Sequence, residues 1–532
     1  MTLSRLNPGP LAWLRARSLL LGESISALAY RITLRQAVGA AVLAMIGFAV
    51  GAGAPEWAGL ALLLAVASAV AVVHPATAAY LLTLAVPFAA LREIRVGGVA
   101  LTAADALVGL LLLAWCARRL ARREFPVWST PLALPFALFL AGLALSVSAA
   151  TFPLLSLKEM AKWLEFLAVT LFVANEMNEA RRIQRILLLL VLAGGVEAAL
   201  GWYQFLAQAG PKGFVLFERF LRAYGTFGQP NPYAGYLNSV LPVVLGVLTA
   251  HWTGRAPSRR GWQGTPLLIA SALMAGGVLF SFSRGGWLAL GAAVALLLGL
   301  AARRTLVLLL AAAVLALFLG LLGALSLLPS QVTGRLSAVT DNFQIFDART
   351  ALLTPENWSV VERMAVWQTA WTMFEESPLT GVGAGNFARL YPDYALRNWK
   401  DPQAHAHNFY LNLLSETGLL GLGGFLVFWL ALLAFAGRTV LLARRRQGTD
   451  DYYGLALGLA AALMAITIHN LFDHLFVHGM AIQLGLLAGL LAAIHRQVAA
   501  APAVEPAPFH GRPVSGRADP SSAAPGWEGQ PS

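Results

Sequence analysis

The sequence predicts an all-α polytopic membrane protein with about 12–14 transmembrane helices and a large helical extracytoplasmic loop between late spans. Hydrophobic residues make up 58% of the 532 residues and charged residues only 12%, which leaves too little polar surface for a soluble protein of this length. Many apolar runs reach about 17–25 residues, the length at which a helix crosses a bilayer. The short alternating strands of membrane β-barrels are absent from the sequence pattern.

The apolar runs place fourteen candidate spans in order along the chain. They are near 35–53, 57–73, 76–91, 103–117, 131–150, 157–175, 183–207, 232–250, 265–282, 285–301, 305–328, 416–442, 453–470 and 478–496. The net charge is +12, and the arginines cluster in every second connection, as in "ARRLARRE" at 117–124 and "ARRR" at 443–446. This is the positive-inside pattern, so the charge reports topology and gives no reason to expect nucleic-acid binding.

The same pattern divides the chain into five parts. Residues 1–30 form a basic cytoplasmic or interfacial segment, and 31–328 form a transmembrane bundle. Residues 329–406 form the large extracytoplasmic loop, with a helical pattern around 355–378. Residues 407–497 hold the C-terminal transmembrane helices. Residues 498–532 are rich in Pro, Ser, Gly and Ala and are expected to be a disordered cytoplasmic tail.

Two arginine-containing stretches stand on the predicted outer side. In "RAYGTFGQPNPYAGYL" (222–237), Arg222 precedes a Gly/Pro turn and a helix start, which is either an anion site or an ordinary helix entry capped by Asn231. In "LFSFSRGGWLAL" (279–290), Arg284 joins two spans with almost no loop. An arginine there opposes the orientation rule, which indicates either a functional residue or one that snorkels to lipid headgroups.

Histidines mark the end of the large loop and the last connection. "HAHNFYLNLLSETGLLGL" (405–422) begins with His405 and His407 and has a carboxylate, Glu416, in its helix. In "HNLFDHLFVHG" (469–479), His and Asp side chains four residues apart could hold zinc on one helix face. The glycine and the short connection argue against a continuous helix, so the sequence assigns no metal site.

The chemistry open to these groups is limited. The chain has no phosphate-binding loop, no H-E-x-x-H and no G-x-S-x-G. Arginines bind phosphate through paired charge-assisted hydrogen bonds, and histidine accepts protons near neutral pH. The set on the outer side is Arg222, Arg284, Arg363, His405 and His407. It suits a substrate with a pyrophosphate leaving group and a hydroxyl nucleophile, without a metal or other cofactor.

Four stretches together resemble a known family. "YGTFGQPNPYAGYL", "SFSRGGWLAL", "ERMAVWQTAWTMFEESPLTGVGAGNFARLYP" and "HAHNFYLNLLSETGLLGL" occur in the order seen in the O-antigen ligase and polymerase (Wzy-C-like) superfamily. The resemblance covers roughly residues 200–440. It implies a multi-span, GT-C-like glycosyltransferase in the bacterial inner membrane, with its active site facing the periplasm. Membrane lipids and an undecaprenyl-pyrophosphate-linked glycan donor are the implied partners, with a lipid A-core or glycan acceptor.

The resemblance also implies roles for individual residues. His407, directly before an asparagine, matches the family's essential histidine and is expected to act as general base. Arg284 and Arg363 match the arginines near the pyrophosphate, and the three are the predicted catalytic residues. The predicted substrate-binding residues are Arg222, Asn231, Asn408, Glu416 and His405.

Three of these assignments carry alternatives. Arg222 has less support than the other arginines. Glu416 would orient His407 or cap the helix, although its distance along a continuous helix argues against the first role. His405 could instead be a solvated loop residue.

The resemblance leaves several activities open. The leading prediction is an inverting, metal-independent transfer of a glycan to an acceptor hydroxyl, as in an O-antigen ligase. A polymerase of O-antigen or exopolysaccharide, or a protein O-oligosaccharyltransferase, is the alternative within the superfamily. A lipid-linked glycan transporter is the alternative from another class. Ionisable residues gathered on one face of the membrane favour chemistry over transport.

Overall fold

The computed structural model describes residues 75–91, 93–96, 99–123, 131–216, 218–254, 264–301, 346–354, 357–401, 403–446 and 448–502. Within these ranges it has thirteen α-helices: α1 Pro75–Ala85, α2 Ala103–Ala121, α3 Ala133–Val147, α4 Pro153–Glu176, α5 Ala180–Leu206, α6 Pro230–Trp252, α7 Gly264–Phe280, α8 Arg284–Ala301, α9 Trp358–Glu376, α10 Phe387–Tyr394, α11 Phe409–Arg445, α12 Asp450–His469 and α13 Met480–Ala500. Two antiparallel pairs of short strands, β1 Glu93–Val96 with β2 Val99–Thr102 and β3 Val215–Leu216 with β4 Phe220–Leu221, and two 3-10 helices, Val86–Leu91 and Lys212–Phe214, complete the described elements. The predictions for 1–30, for the spans 35–53, 57–73 and 305–328, and for the tail beyond residue 502 lie outside the described residues.

The helices confirm the predicted class of all-α, multi-pass membrane protein. Six of those described are long and apolar enough to cross a membrane, namely α5, α6, α8, α11, α12 and α13. Residues 76–89 and the helices α3 and α7 are shorter apolar helices. The eleven predicted spans that fall on described residues each coincide with a helix, because long apolar runs have no stable state in a bilayer except one that satisfies their backbone internally.

The starts of α2, α4, α6, α8, α11 and α13 lie together at one end of the bundle, here called the site end. Residues from the first two turns of α2, α4, α6, α11 and α13 line one cavity, and the first turn of α8 lies against Phe472, just before α13. In the interior α6 lies against α12 and α8, α3 against α11, and α4 against α13. Glycines allow the closest approach: a Cβ at Gly246 of α6 would lie 2.5 Å from the backbone of Gly458 of α12. Small residues at such crossings are how helices gain van der Waals contact without a hydrophobic driving force between them.

Helix α11 is longer than its predicted span of 416–442 and is broken near its start. It begins at Phe409, and Gly418 inside it has φ 62° and ψ −163°. A Cβ at Gly418 would lie 2.3 Å from the carbonyl carbon of Leu379, so this position requires glycine. The first two turns of α11 are therefore an extra segment placed before the apolar run that the sequence analysis detected.

The break in α11 receives the loop that follows α9. Val382 and Gly383 donate backbone hydrogen bonds to the carbonyls of Ser415 and Glu416, at 3.0 and 2.9 Å. On the other side of the break, Leu419 donates to the carbonyl of Pro378 at 2.8 Å. The motifs "PLTGVGAGNF" and "SETGLLGL" are thus two halves of one backbone joint.

Candidate active site

His407 stands at the site end, hydrogen-bonded to a buried carboxylate. Its Nδ1 lies 3.3 Å from Oδ1 of Asp473, whose side chain is only 4% exposed, whereas that of His407 is 30% exposed. With Nδ1 bonded to the carboxylate, Nε2 is the ring nitrogen available to another group. A histidine oriented by a carboxylate is the arrangement of a general base.

Local backbone features fix the position of His407. The next residue, Asn408, caps α11, because its Oδ1 accepts a hydrogen bond from the Leu411 N–H at 3.1 Å. The N–H of Phe409 donates to the carbonyls of both Asn470 and Asp473, which ties the start of α11 to the α12–α13 connection. His407 itself has φ 49°, an uncommon conformation for a residue with a side chain and one that clusters at functional sites.

His405 belongs to the same cluster, so the alternative that it is a solvated loop residue is wrong. Its side chain is 18% exposed, and its Nδ1 lies 3.7 Å from Oδ1 of Asp473. The same Nδ1 accepts a hydrogen bond from the backbone N–H of His407 at 3.2 Å. The two imidazole rings meet edge to face at 4.5 Å.

Burial sets the charges of this cluster. It lowers the pKa of His405 to about 4, although the nearby carboxylate of Asp473 acts in the opposite direction. Burial would raise the pKa of Asp473, but the hydrogen bond with His407 and the neighbouring imidazoles together hold it well below its ordinary value. Asp473 is therefore a permanent anion beside His407, and His405 is neutral at physiological pH.

Arg222 is held rigidly beside the start of α6. Its Nε donates to the carbonyl of Ser281 at 2.8 Å, and its Nη2 donates to Oδ1 of Asn231 at 3.1 Å. Asn231 therefore holds the guanidinium of Arg222. It is not the helix cap proposed as one alternative, because α6 begins at Pro230 with Gln229 in the cap position.

Two buried side chains of α5 clamp the turn that carries Arg222. Oε1 of Gln204 accepts hydrogen bonds from the N–H groups of Tyr224 and Gly225, and its Nε2 donates to the Gly225 carbonyl. Glu197 accepts from the backbone and hydroxyl of Thr226. The clamp holds the start of the "YGTFGQPN" turn in place, because it pairs three successive backbone N–H groups and one carbonyl of residues 224–226.

The three predicted arginines converge near Asp473. Burial and the positive charges of Arg363 and Arg284 together lower the pKa of Arg222 to about 10, although Asp473 acts in the opposite direction. Burial likewise lowers the pKa of Arg363, again opposed by Asp473. The charges of Arg363 and Arg284 thus both act on Arg222, and guanidinium groups this close together are suited to binding a multiply charged anion.

The "SRGG" motif explains how Arg284 reaches this position. Ser283 caps α8, since its Oγ accepts from the N–H of Gly286 at 3.1 Å. A Cβ at Gly285 would lie 2.9 Å from Cβ of Phe472, and one at Gly286 would lie 2.9 Å from Cβ of Ala234. The two glycines thus allow the first turn of α8, and with it Arg284, to lie against both α6 and the end of α12.

Glu416 does not orient His407, and that alternative is wrong. Its Oε1 accepts a hydrogen bond from the backbone N–H of Phe387 at 2.9 Å, so it caps α10 and secures the joint at the break in α11. Asp473 takes the orienting role. Sequence reasoning missed it because the two residues are 66 positions apart.

The structure arranges the residues of 469–479 differently from the helix that the predicted side-chain pairs require. Helix α12 ends at His469, and residues 470–479 form an irregular connection in which His478 and Gly479 have positive φ. The predicted pair of His474 and His478 therefore does not share a helix face, whereas the N–H of Asp473 still donates to the carbonyl of His469 at 3.1 Å. The side chain of Asp473 turns towards His407, and its Oδ1 also accepts the N–H of His474 at 2.9 Å.

A cavity of about 810 Å³ opens beside His407. His405, His407, Asp473, Asn231 and Glu416 are among the described residues that line it, and the three arginines are not. Its far wall comes from the starts of α2 and α4 and is rich in charge: Asp105, Lys158, Glu159, Lys162 and Glu165. Cavities of this size with a few convergent polar groups are typical substrate sites.

Comparison with known families agrees with this site. Residues 269–426 match the family model described as O-Antigen ligase. These residues form an O-antigen ligase domain. The match includes Arg284, Arg363, His405, His407 and Glu416. No curated protein matches the chain significantly.

The O-antigen ligase domain confirms the resemblance that the motifs predicted. For residues 269–426, the match supports the O-antigen ligase and polymerase superfamily, whose members are membrane glycosyltransferases. Arg222 and Asp473 lie outside the matched residues, on either side of them, and reach the site through the fold.

Proposed function

We propose that this protein is an inverting, metal-independent glycosyltransferase that moves a glycan from undecaprenyl pyrophosphate to an acceptor hydroxyl. The observation that carries the proposal is the position of His407 within the O-antigen ligase domain. It is bonded to a permanent anion, Asp473, and it faces a cavity while three arginines gather nearby. His407 as the base lies on one side of Asp473 and the arginines lie on the other. This arrangement suits a reaction in which a hydroxyl displaces a pyrophosphate.

In the proposed reaction the acceptor hydroxyl oxygen attacks the anomeric carbon of the donor glycan. Nε2 of His407 takes the hydroxyl proton, and Asp473 stabilises the imidazolium that results. The bond between the anomeric carbon and the pyrophosphate oxygen breaks as the new bond forms on the opposite face, which inverts the configuration. The arginines neutralise the charge that develops on the departing undecaprenyl pyrophosphate.

The proposed setting is the bacterial inner membrane, with the site end facing the periplasm. The arginine clusters of the intervening connections, such as 443–446 after α11, then lie in the cytoplasm. A lipid-linked pyrophosphate sits at headgroup level, which is where helices of this length begin and end. The acceptor is proposed to be a lipid A-core hydroxyl, with a growing glycan or a protein hydroxyl as the alternatives.

The experiment is transfer in proteoliposomes supplied with an undecaprenyl-pyrophosphate glycan and, in separate reactions, a lipid A-core, a second lipid-linked glycan or a serine-containing protein acceptor. We expect His407→Ala and Arg284→Ala each to reduce transfer at least 10²-fold. His251→Ala, in the last turn of α6 and far from the site end, is the matched control and should retain activity.

Retained transfer in both variants would sink the mechanism. Movement of the donor across the bilayer without any change in its mass would instead support a transporter. Product in only one of the acceptor reactions identifies the acceptor class.

A further inference from the structure

We propose that His405, His407 and Asp473 also form a binding site for a divalent transition-metal ion of the zinc type, and that occupation of this site switches the enzyme off. Each of the three residues offers a ligand atom, and these atoms all lie within 4.8 Å of one another. The binding part of the proposal stands on geometry alone. The inhibition part rests on the proposed function.

The separations between the ligand atoms are close to those of a zinc site. Zinc bound tetrahedrally at about 2.0–2.1 Å places its ligand atoms about 3.3–3.4 Å apart. Oδ1 of Asp473 lies 3.3 Å from Nδ1 of His407 and 3.7 Å from Nδ1 of His405. A small rotation of the His405 ring, which would release its hydrogen bond from the His407 N–H, completes three corners of the tetrahedron.

His474 supplies an independent observation. It is 8% exposed, and neither of its ring nitrogens has a hydrogen-bond partner in the part of the chain that the structure describes. Buried imidazole nitrogens are normally hydrogen-bonded or metal-bound, so this ring is available to act as a ligand. The centre of this ring lies 5.5 Å from that of His405, which makes His474 the candidate for the fourth corner.

The cavity makes the site accessible. All four residues line the same space of about 810 Å³, so an ion can enter from the side on which the substrate would bind. The donor set of imidazoles and one carboxylate suits zinc and its neighbours in the transition series more than calcium or magnesium, which prefer oxygen ligands.

Metal binding and base catalysis exclude each other at His407. An ion on Nδ1 displaces the hydrogen bond to Asp473 and adds positive charge to the ring. Nε2 then cannot take a proton from the acceptor hydroxyl. Zinc should therefore inhibit transfer at the concentration at which it binds.

The binding test uses the full chain in detergent, with its affinity tag removed and with Cys116→Ser to eliminate the exposed thiol. Zinc chloride alone is titrated by calorimetry, and X-ray absorption reports the ligands. We expect one ion per chain with nitrogen and oxygen ligands, and binding at least tenfold weaker in His405→Gln and in Asp473→Asn.

His251→Gln, at the opposite end of α6, is the control and should bind as the wild type does. Absence of binding, or equal binding in all four proteins, overturns the proposal.

The activity test compares chelator-treated enzyme with enzyme at increasing zinc. We expect full transfer after chelation, and half-inhibition near the dissociation constant. His405→Gln should need at least tenfold more zinc for half-inhibition of its own zinc-free activity. An enzyme that is inactive after chelation and restored by zinc overturns both the inhibition and the metal-independent mechanism. Zinc binding at these ligands without transfer under any condition leaves the site standing and contradicts only the proposed function.

Discussion

The surroundings of Asp473 differ in charge from one side to the other. On one side the charges of Arg284 and Arg363 both act on the guanidinium of Arg222. On the other, the cavity beside His407 has four carboxylic side chains and two lysines among its described lining residues besides Asp473. Lys162 is itself paired with Glu159 and donates to the carbonyl of Phe476, so much of its charge is already compensated.

This difference suggests how two substrates are kept apart. A pyrophosphate is attracted more strongly to the three arginines than to the cavity, because the two lysines of the cavity lie among four carboxyl groups and one of them is already paired. A neutral, hydroxyl-rich glycan has no such preference and can use carboxylates as hydrogen-bond acceptors. The proposed donor therefore belongs on the arginine side and the proposed acceptor in the cavity, with His407 and Asp473 between them.

Removing an arginine gives the largest expected effect on this comparison. Arg363→Ala should lower kcat/KM for the donor about 10²–10³-fold, because the charge that develops on the leaving pyrophosphate loses a fixed counter-charge. Arg363→Lys should recover only part of the lost kcat/KM, since an ammonium cannot form the paired hydrogen bonds of a guanidinium. Steady-state kinetics with varied donor measure both.

The matched control is Arg349→Ala, an exposed arginine in the segment that precedes α9. It should leave donor kinetics unchanged. Equal losses in Arg363→Ala and Arg349→Ala would mean that net positive charge matters and that the arginine site does not.

Asp473→Asn tests the residue that separates the two sides. We expect kcat to fall about 10–100-fold, because the amide no longer stabilises the imidazolium of His407. Asp473→Glu should recover part of the lost kcat, because a carboxylate can again accept a hydrogen bond from the imidazolium. A merely structural role for Asp473 would leave Asp473→Glu no more active than Asp473→Asn.

The sequence predicted most of the helices because long apolar runs in a membrane have one stable conformation. It also found the arginine side, since "SRGG" and "GTFGQPN" are local turns whose glycines and prolines are visible in one stretch. The start of α11 was missed, because the two turns before the break at Gly418 are capped by Asn408 and are not part of the long apolar run.

Contacts between distant segments could not be predicted in the same way. Asp473 was assigned to a helix face with His469 because a spacing of four residues suggests one. The chain in fact leaves the helix at His469. Glu416 was considered beside His407, whereas its partner is the backbone of Phe387, 29 residues earlier. In both cases the backbone breaks from helical geometry, so residue spacing no longer measures distance.

Removing a carboxyl group from the cavity should weaken acceptor binding and leave donor binding unchanged. Glu165 of α4 shares a side-chain hydrogen bond with Asp105 of α2, and both line the far wall. Glu165→Gln should raise KM for the acceptor by up to about tenfold, the cost of one hydrogen bond. KM for the donor should not change. A change in donor KM of the same size would contradict the division of the site.

The smallest effect concerns stability and pH. The pKa of His405 is lowered to about 4 by burial, whereas an unfolded histidine titrates near 6.5. Between these values the unfolded chain binds a proton that the folded chain excludes, so His405 makes the fold less stable as the pH falls. At pH 5 this amounts to at most about 2 kcal/mol, from 1.36 kcal/mol for each of roughly 1.5 pH units. Asp473 contributes nothing in this window, because its lowered pKa keeps it ionised until the pH is well below 4.

His405→Gln should therefore lose less thermal stability than the wild type between pH 7 and pH 5. The lowered pKa of His474 leaves part of the pH dependence in the variant. The measurement is the melting temperature of each protein in detergent at pH 7 and at pH 5. If both melting temperatures fell by the same amount, His405 would not be held neutral in the folded protein.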